Sequence, residues 1–248
     1  MQKLTIKNNP ELPYAVEEAL NRLRINISFL GKDIKKIMVV STNPNEGKSF
    51  VAMQLWRQMA EAGTKSILID ADLRKSIMTE KYGMSLESGE KINGTSYVLA
   101  NDIPFSNSLF HTDIADGDIL PNSDNVVNPS MLLENQRFEE LLDYTKDNYR
   151  YTFIDSPPLD LVSDGERIGS LCDGAILVVR GGVTSKSMVK HSVMQLERAG
   201  CPLLGIILNR VEGSKGGYYY KKYGGKYYGG HYGKYYSGDS YYYGKKKA

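Results

Sequence analysis

Ile37-Met38-Val39-Val40-Ser41-Thr42-Asn43-Pro44-Asn45-Glu46-Gly47-Lys48-Ser49 is an apolar run that breaks into a polar loop. A helix-patterned stretch, residues 48–62, follows directly and stops at Gly63. A short, continuously apolar run suits a strand buried on both faces of a parallel sheet. Gly-Lys-Ser between a strand and a helix suits a loop that cradles phosphate. Backbone N–H groups of Asn45, Glu46, Gly47, Lys48 and Ser49 would wrap a β-phosphate, and the helix N-terminus adds its positive end. Lys48 would reach the β- and γ-phosphates, and the Ser49 hydroxyl would bind Mg²⁺. Phe50 completes the predicted loop set. Thr42 stands where such loops usually begin with Gly.

Working outward, residues 66–70, 151–155, 174–179 and 203–209 are further apolar runs. Helix-patterned stretches at 131–146 and 185–199 lie between them, and an amphipathic stretch at 14–30 carries Val16, Leu20, Leu23 and Ile27 on one stripe. This alternation predicts an α/β, doubly wound, mostly parallel sheet. Right-handed crossovers then bring the carboxyl ends of the strands to one edge, where ligands bind. Residues 82–120 are Ser/Asn/Asp-rich and predict a short helix, a loop and a strand near Ile119.

Three acids fall at predicted strand ends: Asp70 and Asp72 after the second run, and Asp155 after the third. Three carboxylates beside a triphosphate are costly without a divalent cation, so Ser49, Asp70, Asp72 and Asp155 form the predicted Mg²⁺ set. Asn209 ends the last strand, where its amide could pair with a purine edge. Arg180 ends the strand before it and could line the base or the loop mouth. The three histidines are scattered, and Cys172 and Cys201 read as reduced thiols rather than a disulfide or metal site.

The net charge of +2 hides a split. Residues 214–248 carry +7, twelve of the 18 tyrosines, and no Leu, Ile, Val, Phe or Met. Aliphatic burial is impossible there, which predicts a disordered tail. Residues 1–213 carry −5 and hold the core. Residues 1–10 are polar, which predicts no signal peptide. No apolar run approaches the ~20 residues of a membrane span.

Together these residues resemble the bacterial tyrosine kinases (BY-kinases) of capsule and exopolysaccharide assembly, which use a P-loop ATPase fold of the MinD/ParA-like group. The likeness rests on the loop Pro44–Ser49, the Asp70-x-Asp72-x-Arg74 strand end, residues 152–158, Asn128-Pro129-Ser130, Val178-Val179-Arg180 with Thr184, and the tyrosine-rich tail. Asn43 replaces the signature lysine of the MinD/ParA group, and BY-kinases also lack that lysine.

The resemblance implies ATP and Mg²⁺, with Lys48, Asp70, Asp72 and Asp155 as catalytic residues. Lys48 would stabilise the transferring phosphoryl group. Asp70, then Asp72, would accept the phenol proton, and Asp155 would order metal waters. Residues 1–213 would be the kinase domain, and 214–248 the tail phosphorylated in trans. Its acceptors would be Tyr218, Tyr219, Tyr220, Tyr223, Tyr227, Tyr228, Tyr232, Tyr235, Tyr236, Tyr241, Tyr242 and Tyr243.

The family's N-terminal helix carries Glu-x-x-Arg-x-x-Arg, linked to ring assembly. Here it reads Glu18, Asn21, Arg24, so one charge contact of a homo-oligomeric ring, an octamer in the family pattern, is lost. A transmembrane polysaccharide co-polymerase as activator and a tyrosine phosphatase are the implied partners. The implied location is cytoplasmic, at the inner face of the membrane through that partner. No nucleic-acid-reading motif is visible in the body. Two other readings stand beside this one: a ParA/MinD-like ATPase without kinase activity, acting in positioning or as a scaffold, and a nucleotide-dependent scaffold whose tail binds polyanions.

Overall fold

The computed structural model describes residues 2–124 and 126–211. Along the chain run β1 (Gln2–Ile6), α1 (Tyr14–Ser28), β2 (Lys36–Ser41), α2 (Lys48–Glu61), β3 (Ser66–Asp70), α3 (Met78–Lys81), β4 (Met84–Leu86), α4 (Thr95–Ala100) and α5 (Phe105–Ser108). They are followed by β5 (Phe110–His111), β6 (Gly117–Leu120), α6 (Pro129–Glu134), α7 (Gln136–Asn148), β7 (Tyr151–Asp155), α8 (Asp164–Gly169), β8 (Gly174–Arg180), α9 (Lys186–Arg198) and β9 (Leu203–Asn209). Residues 1–210 make one compact unit. The tail, with its twelve tyrosines and the predicted boundary at 213, lies outside the described residues.

The nine strands run in the order β4-β1-β5-β6-β3-β7-β2-β8-β9. From β6 to β9 every neighbouring pair is parallel, and the five runs expected from the sequence are all here. Beyond β6 the sheet turns mixed: β5 lies antiparallel to β6, β1 parallel to β5, and β4 antiparallel to β1. Strand β1 falls within the stretch expected to be merely polar. Only Leu4 of its five residues is buried, so local hydropathy carries little trace of it. The helices form two groups, α1 on α2 and a run of α4, α6, α7, α8 and α9, as a sheet covered on both faces requires.

Two further expectations change. The helix expected over 131–146 is broken at Asn135, which is extended (φ −65°, ψ 141°) and whose side chain accepts the Arg137 N–H, capping α7. The last strand, β9, is not buried on both faces. It is an edge strand, and Ile206 and Leu208 stand about half exposed on it.

The core sits where α2 crosses the parallel strands. Trp56 is fully buried there, its indole N–H donating to the Ser66 carbonyl at 3.3 Å. Register then sets the carboxyl edge. Asp155 lies opposite Asp70 on one side and Val39 on the other, so the ends of β3, β7 and β2 meet at the loop that starts α2. Among the described residues no helix is long and apolar enough to cross a membrane.

Candidate nucleotide and phosphoryl-transfer site

The loop between β2 and α2 folds through two left-handed residues, Asn45 (φ 62°) and Gly47 (φ 99°). Asparagine tolerates that region and glycine enters it freely. Gly47 is required twice over, because a Cβ there would lie 2.2 Å from the Asn209 amide nitrogen. Lys48 and Ser49 open α2, where backbone N–H groups lack helical partners and the dipole is positive. Thr42, in place of the usual glycine, is fully buried and accepts the Ser192 hydroxyl at 3.0 Å, tying the loop's start to α9.

The predicted cation and acids converge. Lys48 Nζ lies 2.9 Å from Asp72 Oδ2 and 3.7 Å from Asp155 Oδ1, and 3.3 Å from its neighbour's hydroxyl, Ser49 Oγ. Burial opposes the Lys48 charge, but Asp155 and Asp72 outweigh it and hold its pKa above that of an ordinary lysine. Burial, reinforced by Asp155, pushes Asp70 up to about 8. Burial also raises Asp155, with Lys48 and the Ser49 hydroxyl working the other way.

The acids differ in what they face. Asp72 lines the cleft, and its other oxygen accepts the Lys75 N–H at 3.2 Å. Asp70 sits behind it, accepting the Asp72 N–H at 3.1 Å and the Ser76 hydroxyl. Both acids have both oxygens engaged; of the two proton acceptors expected from the sequence, Asp72 lines the cleft and Asp70 does not. Asp155 Oδ1 is buried without a hydrogen-bond partner.

That oxygen, which has the Lys48 ammonium at 3.7 Å but no hydrogen bond, forms with the Ser49 hydroxyl and Asp72 a donor set suited to a hard divalent cation. Among the described residues no three His, Cys, Asp or Glu are arranged to hold a metal alone.

The cleft itself measures ≈ 230 Å³. Its walls include Asn45, Gly47, Lys48, Ser49 and Phe50 from the loop and α2, Pro158, Leu161 and Val162 after β7, and the cations Arg74, Lys75, Lys81 and Arg210. Burial first, then Arg210, lowers the Lys81 pKa, and its ammonium lies 5.7 Å over the Phe50 ring. Lys75, Lys81 and Arg210 favour a polyphosphate there, while Arg74 is held by an acid, Asp164. A larger cleft of ≈ 440 Å³ opens beside residues 9–12 and the carboxyl half of α2, but it gathers no lysine and no strand end.

Three sequence-predicted residues take other positions. The Glu46 carboxylate is buried and turned towards β8. Arg180 and Asn209 do not line the cleft; they meet Glu46 instead, through the Arg180 N–H and the Asn209 amide. Sequence reasoning missed Asp164. It holds Arg74 in a bidentate pair at 2.6 and 3.1 Å and accepts the Ser130 hydroxyl at 2.7 Å. The Asp70-x-Asp72-x-Arg74 and Asn128-Pro129-Ser130 motifs are thus joined by an acid that neither contains. On α1, Arg24 donates to the Asn21 side chain at 2.9 and 3.2 Å, so these two bond within the helix, and Glu18 lies one turn before Asn21.

A strand, a phosphate loop at a helix N-terminus, and carboxylates at two adjacent strand ends define a P-loop nucleotide-binding protein. The AAA domain family matches residues 34–166. The tyrosine-protein kinase CpsD of Streptococcus agalactiae is 34% identical over 209 residues, 84% of this chain and 90% of that protein. The crystal structure of the chimerical protein CapA2B2 superposes with a TM-score of 0.72 at 28% identity, covering 84% of this chain and 92% of that one. The septum site-determining protein MinD of Pyrococcus horikoshii, complexed with Mg-ADP, superposes at 0.62 with 25% identity, covering 73% of this chain and 72% of that one. The chain belongs to the bacterial tyrosine kinase family, built on the MinD-like P-loop fold.

Proposed function

We propose that the chain is an ATP-dependent tyrosine autokinase that phosphorylates its own C-terminal tyrosine cluster between subunits, in the service of capsular or exopolysaccharide synthesis. One observation carries the reading: Lys48 meets Asp72 at 2.9 Å and Asp155 at 3.7 Å beside a phosphate loop on the carboxyl edge of the sheet.

In the reaction the phenol oxygen bonds to the γ-phosphorus, the bond to ADP breaks, and the phenolic proton leaves. A free phenol has a pKa of about 10, so a carboxylate must take that proton. Asp72 faces the cleft and takes it, with Asp70 holding the Asp72 backbone in place. Lys48 and the loop N–H groups bear the charge that spreads over the phosphoryl oxygens. Ser49, Asp72 and Asp155 would hold Mg²⁺, which when bound neutralises charge on the β- and γ-phosphates.

The tail supplies the phenols. A flexible chain of about 35 residues spans roughly 30–35 Å root-mean-square, the reach that transfer to a neighbouring subunit needs. Its +7 charge opposes the −5 of residues 1–213. Each phosphate adds about −1.5 to −2, so modification reverses that attraction and releases subunits. Helix α1, with Glu18, Asn21 and Arg24, is the ring-forming element. Tyr14, its first residue, and Phe29, just past its end, are exposed. A transmembrane co-polymerase would activate the kinase at the inner membrane face, and a tyrosine phosphatase would reset the tail.

The test mixes isotope-labelled Lys48→Met protein with active protein truncated after residue 213, adds ATP and Mg²⁺, and maps phosphotyrosine by mass spectrometry. Phosphate on the labelled tail is expected. ATP hydrolysis with no phosphotyrosine on either chain would replace this reading with a MinD-like positioning ATPase, which the likeness to MinD favours as the second choice.

A further inference from the structure

Glu46 lies in the phosphate loop, where a negative charge repels the ligand, and is only 2% exposed. Its carboxylate is turned away from the cradle and is fully used. One oxygen accepts the Asn43 N–H at 2.9 Å. The other accepts the Arg180 N–H at 3.4 Å and the Thr184 hydroxyl. On the backbone side, the Asn209 amide donates to the Glu46 carbonyl at 2.8 Å. The middle of the loop is therefore suspended from the ends of both β8 and β9. The turn that carries Thr184 includes Gly182 (φ 73°) and leaves Val183 65% exposed. None of these bonds touches the space where phosphates or a phenol would sit.

We infer that Glu46 and Thr184 form a positioning pair for phosphoryl transfer, a joint through which the β8–α9 turn sets the loop's grip on nucleotide. A buried carboxylate that accepts three donors fixes the Asn43–Gly47 backbone, and with it the direction of the N–H groups that follow. Loss of one charge-assisted bond frees the loop at its centre. Phosphoryl transfer depends on positioning, so the effect falls on nucleotide affinity and turnover rather than on the global fold. This inference rests on the loop being the nucleotide cradle.

The variants are Thr184→Val, Thr184→Ser, Glu46→Gln and the double variant Glu46→Gln/Thr184→Val. All are full-length, and Lys48→Met is the control. Fluorescent-ATP titration, kcat and KM for tail phosphorylation, and a thermal melt are read for each. Thr184→Val should weaken nucleotide affinity or kcat/KM by about ten- to a hundredfold, as for loss of one hydrogen bond to a charged group. Thr184→Ser should restore both to within about twofold, because only the hydroxyl is needed. The double variant should be no worse than the poorer single one, as for two halves of one contact. Thr184→Val at wild-type affinity and kcat/KM overturns the inference, and so do effects that multiply in the double variant. If Thr184→Val does not fold, Glu46→Gln alone decides by the same affinity and kcat/KM. A wild-type protein that binds no ATP would sink the reading of the cradle instead, and is told apart by that first titration.

Discussion

Replacing Lys48 by methionine should do more than silence the enzyme; it should destabilise the protein. The ammonium lies among three acids, with side-chain exposures of 12% for Lys48, 9% for Asp72 and 3% for Asp155, so the pairs are poorly screened by solvent. Removing one partner of a buried pair leaves charge uncompensated, at a cost of about 3–5 kcal/mol. For a chain of this size that lowers Tm by about 6–20 °C. The cost should depend on pH. Asp70 is already pushed up to about 8, and Asp155 is raised as well. Without Lys48 their protonation is favoured further, so acid relieves the repulsion. Urea unfolding of nucleotide-free protein at pH 8 and pH 5 measures this. The deficit of Lys48→Met should be large at pH 8 and shrink at pH 5. Equal midpoints for the two proteins at pH 8, or a deficit that grows in acid, would refute the account of Lys48 as counter-charge.

The remaining predictions concern the same edge. The folded pKa of Asp70, about 8, lies above its ordinary 3.8, so the native state keeps a proton that the unfolded chain releases. Its contribution to stability is complete below about pH 4 and is lost as pH rises through 8, at most about 1.4 kcal/mol per pH unit. Asp70→Asn should flatten that slope in urea midpoints from pH 5 to 8; an unchanged slope argues against a protonated Asp70. Gly47→Ala places a Cβ in a left-handed residue 2.2 Å from the Asn209 amide. It should cost about 1–2 kcal/mol in backbone strain and lose nucleotide binding in a fluorescence titration. Adding Asn209→Ala should recover part of the stability and none of the binding.

How much of this was legible beforehand depended on range along the chain. The β2–loop–α2 unit is contiguous, and its strand period, glycine and Lys48-Ser49 pair announce it from one short stretch. Asp70 and Asp155 were also readable, because each ends an apolar run that only a buried strand explains, and Asp72 follows two residues on. The break at Asn135 was not, since no glycine or proline interrupts residues 131–146 and Leu132, Leu133, Phe138, Leu141 and Leu142 lie on either side of it. The partner of Arg74 was equally hidden. Asp164 lies 90 residues away, on a short helix with no strong local signal.

The sequence by itself determined the fold class and which residues could handle phosphate, because burial periodicity, glycine conformation and charge are local properties of a chain. Tertiary structure alone decided which acid faces the cleft, where Glu46 sends its carboxylate, and that Asn209 braces the loop. It also decided that Gln2–Ile6 is a strand and that β9 is an edge. All but the first are settled by a hydrogen-bond or sheet partner dozens of residues distant. A group buried at a strand end takes whichever donor the fold brings within reach, and nothing in its own neighbourhood along the chain names that donor.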